Sequence, residues 1–236
     1  MNKCTLLLLP GLDGTGVFFG PMLSHLPAWI DPVIVTYPAH GPNGYEDLLP
    51  IALDAVGDTT CVAILGWSFG GPLALMAASK LDDRVSHLIL CGSFVTPPRP
   101  ALVPVRLAVR GPVIAVVRAL RRMRFLIPGY ADATLRRAKA QTWRTVNSGV
   151  LAARARAALG IDARFLLARC KARILYLAST RDEVIRRRHR DEVLAHAAGA
   201  EAAEIEGPHL ALFTNPVAAA GIIAGFLGRD RSRDPG

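Results

Sequence analysis

A serine with glycines two positions to either side, Gly66-Trp67-Ser68-Phe69-Gly70, separates the apolar run Cys61 to Leu65 from the helix-like stretch Gly71 to Ala78. Such a layout lifts a hydroxyl on a sharp strand-to-helix turn, where a side chain at either glycine would strike the adjoining strand or helix. A serine hydroxyl is a weak nucleophile at neutral pH. It needs a base to take its proton and an acid to fix the tautomer of that base. His209 is the candidate base, because Glu206-Gly207-Pro208-His209 follows a strand-like run ending at Ile205 and precedes the last helical stretch. Asp182 is the candidate acid, since Ser179-Thr180-Arg181-Asp182 follows another apolar run; its neighbour Glu183 reads more simply as an acid in the first turn of a helix. His25, His189 and His196 fall in amphipathic stretches as surface or boundary residues, and His87 opens a strand at its far end. His40, in a loop after the second strand, is the remaining competitor as a pocket residue.

Opening a carbonyl also requires donors for the charge that develops on its oxygen. The amide of Phe69, next after the serine and at a helix start, is one; the amide of Leu12, in the loop Leu9-Pro10-Gly11-Leu12-Asp13-Gly14-Thr15-Gly16, is the other. Gly11 and Trp67, beside those donors, are the expected substrate-lining positions. The glycine spacing fits neither a dinucleotide fingerprint nor a phosphate loop with its lysine. The implied chemistry is ester cleavage through an acyl-enzyme, with no cofactor and no metal. A thioester would use the same groups, whereas epoxide or haloalkane opening would favour a carboxylate at position 68.

These residues must be carried by an alternation of strands and helices. Short apolar runs at 5–9, 32–36, 61–65, 86–91, 172–178 and 202–205 read as strands, several too uniformly apolar to have a wet face. Helical stretches at 20–26, 45–56, 72–81, 184–198 and 216–227 lie between or after them, the last opening with Asn215-Pro216. The alternation predicts a parallel sheet covered on both faces, in a single core formed by 1–93 and 166–228. Residues 94–165 break the pattern with six prolines and helical spacing, and read as an inserted helical lid. Residues 229–236 read as a disordered tail.

The chain has 236 residues, 51% of them hydrophobic, and a net charge of +9. The lid stretch alone holds 14 Lys and Arg against Asp132 and Asp162, so the rest of the chain is slightly acidic. Arg118, Arg121, Arg122, Arg124, Arg136, Arg137, Lys139 and Arg144 are the candidates for holding an acidic partner. A solvated helical face explains such a charge run equally well, and Leu102, Val105, Leu107, Val113, Val116 and Val117 among the arginines leave contact with an anionic membrane open. Nucleic acid is disfavoured, because no recognition motif accompanies the charge. Cys4, Cys61 and Cys91 fall in predicted buried strands, and with Cys170 they show no paired spacing for a disulfide or zinc site. With no long charge-free apolar stretch and no signal-peptide pattern, a cytoplasmic location is expected.

Leu-Pro-Gly-Leu-Asp-Gly-Thr-Gly, Gly-Trp-Ser-Phe-Gly-Gly-Pro, Thr-Arg-Asp and Gly-Pro-His, in this order, resemble the α/β-hydrolase superfamily over residues 4–228. The resemblance implies a minimal α/β-hydrolase fold of about six mostly parallel strands, beginning at what is usually the third strand. Pro10 stands where that superfamily usually has a histidine. The Gly-Trp-Ser-Phe-Gly-Gly elbow and the compact size are similar to the pimeloyl-acyl-carrier-protein methyl ester esterases of biotin synthesis, which use basic lid residues to hold an acidic carrier protein. A lipase-like enzyme, or a non-catalytic receptor on the same scaffold, are the alternatives; the presence of serine, acid and histidine together disfavours the receptor.

Overall fold

The computed structural model describes residues 3–124 and 133–229, without the side chains of 121–124. In chain order the elements are β1 (Cys4–Leu9), α1 (Gly20–Leu23), β2 (Ile30–Ile34), α2 (Tyr45–Asp54), β3 (Val62–Trp67), α3 (Gly70–Leu81) and β4 (Val85–Cys91). There follow α4 (Gly111–Arg124), α5 (Ala133–Thr145), α6 (Ser148–Gly160), α7 (Arg164–Ala168), β5 (Arg173–Ser179), α8 (Arg187–His196), β6 (Glu201–Ile205), α9 (Ala211–Thr214) and α10 (Pro216–Gly228). The sheet has six strands in the order β2-β1-β3-β4-β5-β6, and every pairing is parallel.

Strand side chains alternate between two apolar layers, which is why the runs look uniformly hydrophobic. Leu7, Leu9, Ile64, Leu88, Leu90 and Tyr176 face α2 and α3. Leu6, Leu8, Leu65, Ile89 and Leu177 face the other way, against Met22 of α1 and Ile223 and Phe226 of α10. The chain runs from β1 outward to β2 and then returns past β1 to β3, so the strand order reverses between β1 and β3. Ligand crevices open at such a reversal, beyond the carboxyl ends of the strands. The loop after β1 and the turn after β3 border that crevice, and the parallel register brings the ends of β4, β5 and β6 to the same edge.

Two expectations are corrected by the layout. Cys61 lies just before β3 and is exposed, and Cys4 is only half-buried; of the three, Cys91 alone is a buried strand residue. The helix expected from Val184 starts at Arg187. Its first turn cannot form earlier because the Asp182 carboxylate takes the amides of Val184 and Ile185, both at 2.8 Å, and holds them in a turn. No described helix is long and apolar enough to cross a membrane.

Candidate active site

Ser68 occupies the turn between β3 and α3 with φ of +53°, a left-handed conformation that a non-glycine residue adopts at a cost. The turn is packed so closely that a Cβ on Gly66 would come 2.6 Å from the Gly71 Cα, and one on Gly70 would come 2.8 Å from the Pro10 carbonyl oxygen. Small residues are therefore obligatory on both sides. The serine is 9% exposed, with its amide donating to the Cys91 carbonyl at the end of the neighbouring strand.

Ser68, Asp182 and His209 come together from three loops at the same sheet edge. His209 Nε2 lies 3.0 Å from Ser68 Oγ, and His209 Nδ1 lies 2.7 Å from Asp182 Oδ2. Both contacts are within hydrogen-bond reach. The carboxylate is itself fixed, because its other oxygen, Oδ1, accepts the Val184 and Ile185 amides. The imidazole is fixed from behind by Trp67, whose ring lies 5.5 Å from it and whose Nε1 donates to the His209 carbonyl at 3.3 Å.

The loop after β1 runs against the elbow, where the Pro10 carbonyl faces Gly70 and Gly11 faces Trp67, two residues and one residue before Leu12. Among the described residues, the amides of Leu12 and Phe69 donate to no other part of the chain. Gly11 and Trp67 meet each other: a Cβ on Gly11 would sit 2.9 Å from the indole ring, and that ring is buried among Phe18, Phe19 and His209. Its contacts are thus with protein, as a wall that holds the loop and the histidine. His40 is exposed in the loop after β2, where its carbonyl accepts from Asn43. Glu183 is exposed outside any helix, so its expected role as a first-turn acid is corrected.

Residues 6–221 match the alpha/beta hydrolase family. The chain belongs to that family. A stretch of 93 residues is 32% identical to the pimeloyl-[acyl-carrier protein] methyl ester esterase of Neisseria meningitidis serogroup C, covering 37% of this chain and 36% of that relative. The match thus spans about a third of the relative's length. Among solved structures, a hydrolase from Pseudomonas aeruginosa PA01 is 24% identical, with 96% of this chain and 90% of that chain covered and a TM-score of 0.81. MenH from S. aureus is 15% identical, with 98% and 96% covered and a TM-score of 0.82. Both share the fold.

In this alpha/beta hydrolase three further residues, with no motif to announce them, support the site. Gly92, at φ of +47°, lies under the acid and histidine, where a Cβ would be 3.2 Å from Asp182 Oδ2 and 3.4 Å from His209 Nδ1. Ser93, fully buried, donates from Oγ to the Ser68 carbonyl at 2.6 Å and so braces the strained turn. Tyr176 donates to the Ser93 carbonyl at 2.7 Å, and burial pushes its phenol well above the usual range, keeping that donor protonated.

The basic candidates separate into two kinds. Arg118 turns inward: Nη1 donates to the Val146 carbonyl at 2.7 Å and Nη2 to the Trp143 carbonyl at 2.6 Å, closing the end of α5. These bonds hold the half-buried guanidinium against carbonyls at a helix terminus that favours a cation. Arg136, Arg137 and Arg144 are exposed on α5 and Lys139 is half-buried there, whereas the side chains of Arg121, Arg122 and Arg124 lie outside the described residues. His189 is corrected, being 1% exposed, 6.4 Å from the Phe94 ring, and pushed below the usual imidazole range mainly by burial.

Proposed function

We propose that the protein is a serine carboxylesterase. The observation that carries this reading is the unbroken hydrogen-bonded line from Ser68 through His209 to Asp182. His209 Nε2 takes the proton as Ser68 Oγ attacks the acyl carbonyl, and Asp182 stabilises the imidazolium through Nδ1. The amides of Leu12 and Phe69 receive the oxyanion, His209 returns the proton to the leaving alkoxide, and the acyl group remains on Ser68. Water, deprotonated by the same imidazole, then adds to the acyl-enzyme; the bond from the acyl carbon to Ser68 Oγ breaks, the imidazolium returns its proton to Oγ, and the carboxylic acid leaves.

The segment 94–165 acts as a basic helical lid for an aliphatic acyl ester. An ester carried on acidic acyl carrier protein fits its charge, and the name of the Neisseria relative supports that substrate class. A second reading, hydrolysis at an anionic lipid surface, is supported by α4, which packs on α6 yet leaves Val113, Val116, Val117 and Leu120 exposed at helical spacing. One assay distinguishes them. With a methyl ester on acyl carrier protein, kcat/KM should fall about tenfold between 20 mM and 300 mM salt as long-range attraction is screened, while that for p-nitrophenyl butyrate stays within about twofold. The variant carrying Arg137→Glu and Arg144→Glu should lose the same factor at low salt on the carrier substrate alone. Equal salt responses would reject the carrier, and stimulation by anionic vesicles in their place would favour the lipid surface.

A further inference from the structure

Helix α6 carries an arginine that no surface can see. Arg154 is 0% exposed, and its guanidinium spans two loops. On one side Nη1 donates to the carbonyls of Leu12 at 2.9 Å and Asp13 at 2.8 Å. On the other, Nη2 donates to the Pro38 carbonyl at 2.9 Å and to Asn43 Oδ1 at 2.7 Å, and Nε also meets Asn43 Oδ1 at 3.0 Å. The Tyr37 ring lies 5.2 Å from the guanidinium carbon. Every hydrogen-bond acceptor among the described residues is a neutral oxygen, and none is a carboxylate.

Burying a cation that no carboxylate hydrogen-bonds is costly, and burial pushes this guanidinium down to about 10, against the opposing attraction of Tyr37 and the Asp13 carboxylate. Salt-bridged arginines on the surface of the same chain give no comparable reason for being where they are. The seat is shaped for it as well. Gly14, at φ of +68°, leaves room for the fork, since a Cβ there would lie 2.9 Å from the guanidinium carbon and 2.7 Å from the Tyr37 ring. Tyr37 ties the same two loops together, its hydroxyl donating to the Pro10 carbonyl at 3.0 Å and its amide to the Gly14 carbonyl at 2.8 Å.

We propose that Arg154 is a positioning residue for the oxyanion: by holding the Leu12 and Asp13 carbonyls from behind, it aims the Leu12 amide at the reacting oxygen and makes donor geometry depend on the docking of α6. This rests on the esterase reading above. One of the acceptor oxygens that Arg154 takes, the Leu12 carbonyl, lies on the very residue whose N–H must be aimed, and another, the Asp13 carbonyl, on the residue after it. A planar fork can hold two carbonyls of one loop and two oxygens of another at once, which a single ammonium cannot.

The test compares wild type, Arg154→Met and Arg154→Lys on p-nitrophenyl butyrate, with rates expressed per serine titrated by a fluorophosphonate. Arg154→Met should lower kcat about 100-fold, the effect of displacing a donor of this kind, with KM within about twofold. Inhibition by a trifluoromethyl ketone, whose adduct carries the oxyanion, should weaken by the same factor, while inhibition by butyrate is unchanged. Arg154→Lys should fall between. An arginine serving only to hold the fold would lower the number of titratable serines without changing kcat per serine, and that result would overturn the proposal. If Arg154→Met does not fold, Arg154→Lys decides by the same two readouts. Absence of Ser68-dependent hydrolysis in wild type would instead defeat the esterase reading.

Discussion

Replacing His209 with alanine should lower kcat on an alkyl ester by about a million-fold, the scale seen when a serine hydrolase loses its base. His209 Nε2 is the described ring nitrogen that bonds to Ser68 Oγ, at 3.0 Å, so without it no imidazole receives the proton during attack. Structure should survive the change. The loop is held through its backbone by the Trp67 indole, and the side chain itself is 15% exposed at the sheet edge. Melting temperature is therefore expected to stay within a few degrees while activity falls to the rate supported by the oxyanion donors alone. Steady-state kinetics beside thermal melts would check this; a loss below tenfold would mean that another group deprotonates Ser68.

The second large effect is expected from Asp182→Asn, about ten-thousand-fold in kcat with little change in KM. Asp182 Oδ1 accepts two backbone amides, from Val184 and Ile185, so an asparagine must keep its carbonyl oxygen there. Its NH2 group is then forced toward His209 Nδ1, which can answer only as an acceptor. The proton moves to Nε2, the nitrogen that faces Ser68, and the imidazole can no longer take the hydroxyl's proton. Asp182→Glu offers a control, since it restores a carboxylate but lengthens the side chain, and should lie between the two. The same backbone amides that set this outcome also stop α8 from beginning before Arg187.

Much of this was legible from residue pattern because the sheet is parallel and buried on both faces. Runs such as Leu6 to Leu9 must be apolar at every position, and turns bearing Ser68, Asp182 and His209 must fall at one edge once all the strands point the same way. Side chains that act by direction rather than type were harder to read. Arg118 and Arg154 both look like members of a charged lid, yet one closes a helix end and the other grips a loop. For Arg154 a signal existed, since it falls midway between Val150 and Ala158, four residues from each, on the face of α6 that is buried. An arginine in the centre of an apolar stripe is a residue with internal partners. Ser93 and Gly92 had no such signal. Their importance comes from which strand lies beside β3 and how closely its end approaches the acid, which only the pairing of β4 with β3 and β5 establishes.

The position of one hydroxyl governs all of this chemistry, and covalent labelling reports on it most directly. Wild-type protein treated with a fluorophosphonate should gain one phosphonyl group, located at Ser68 by peptide mass spectrometry, and lose its ester hydrolysis in proportion. Ser68→Ala should be neither labelled nor active, and His209→Ala should be labelled far more slowly. Hydrolysis that persists in Ser68→Ala, or labelling that falls on another residue while activity disappears, would contradict a nucleophile at this turn.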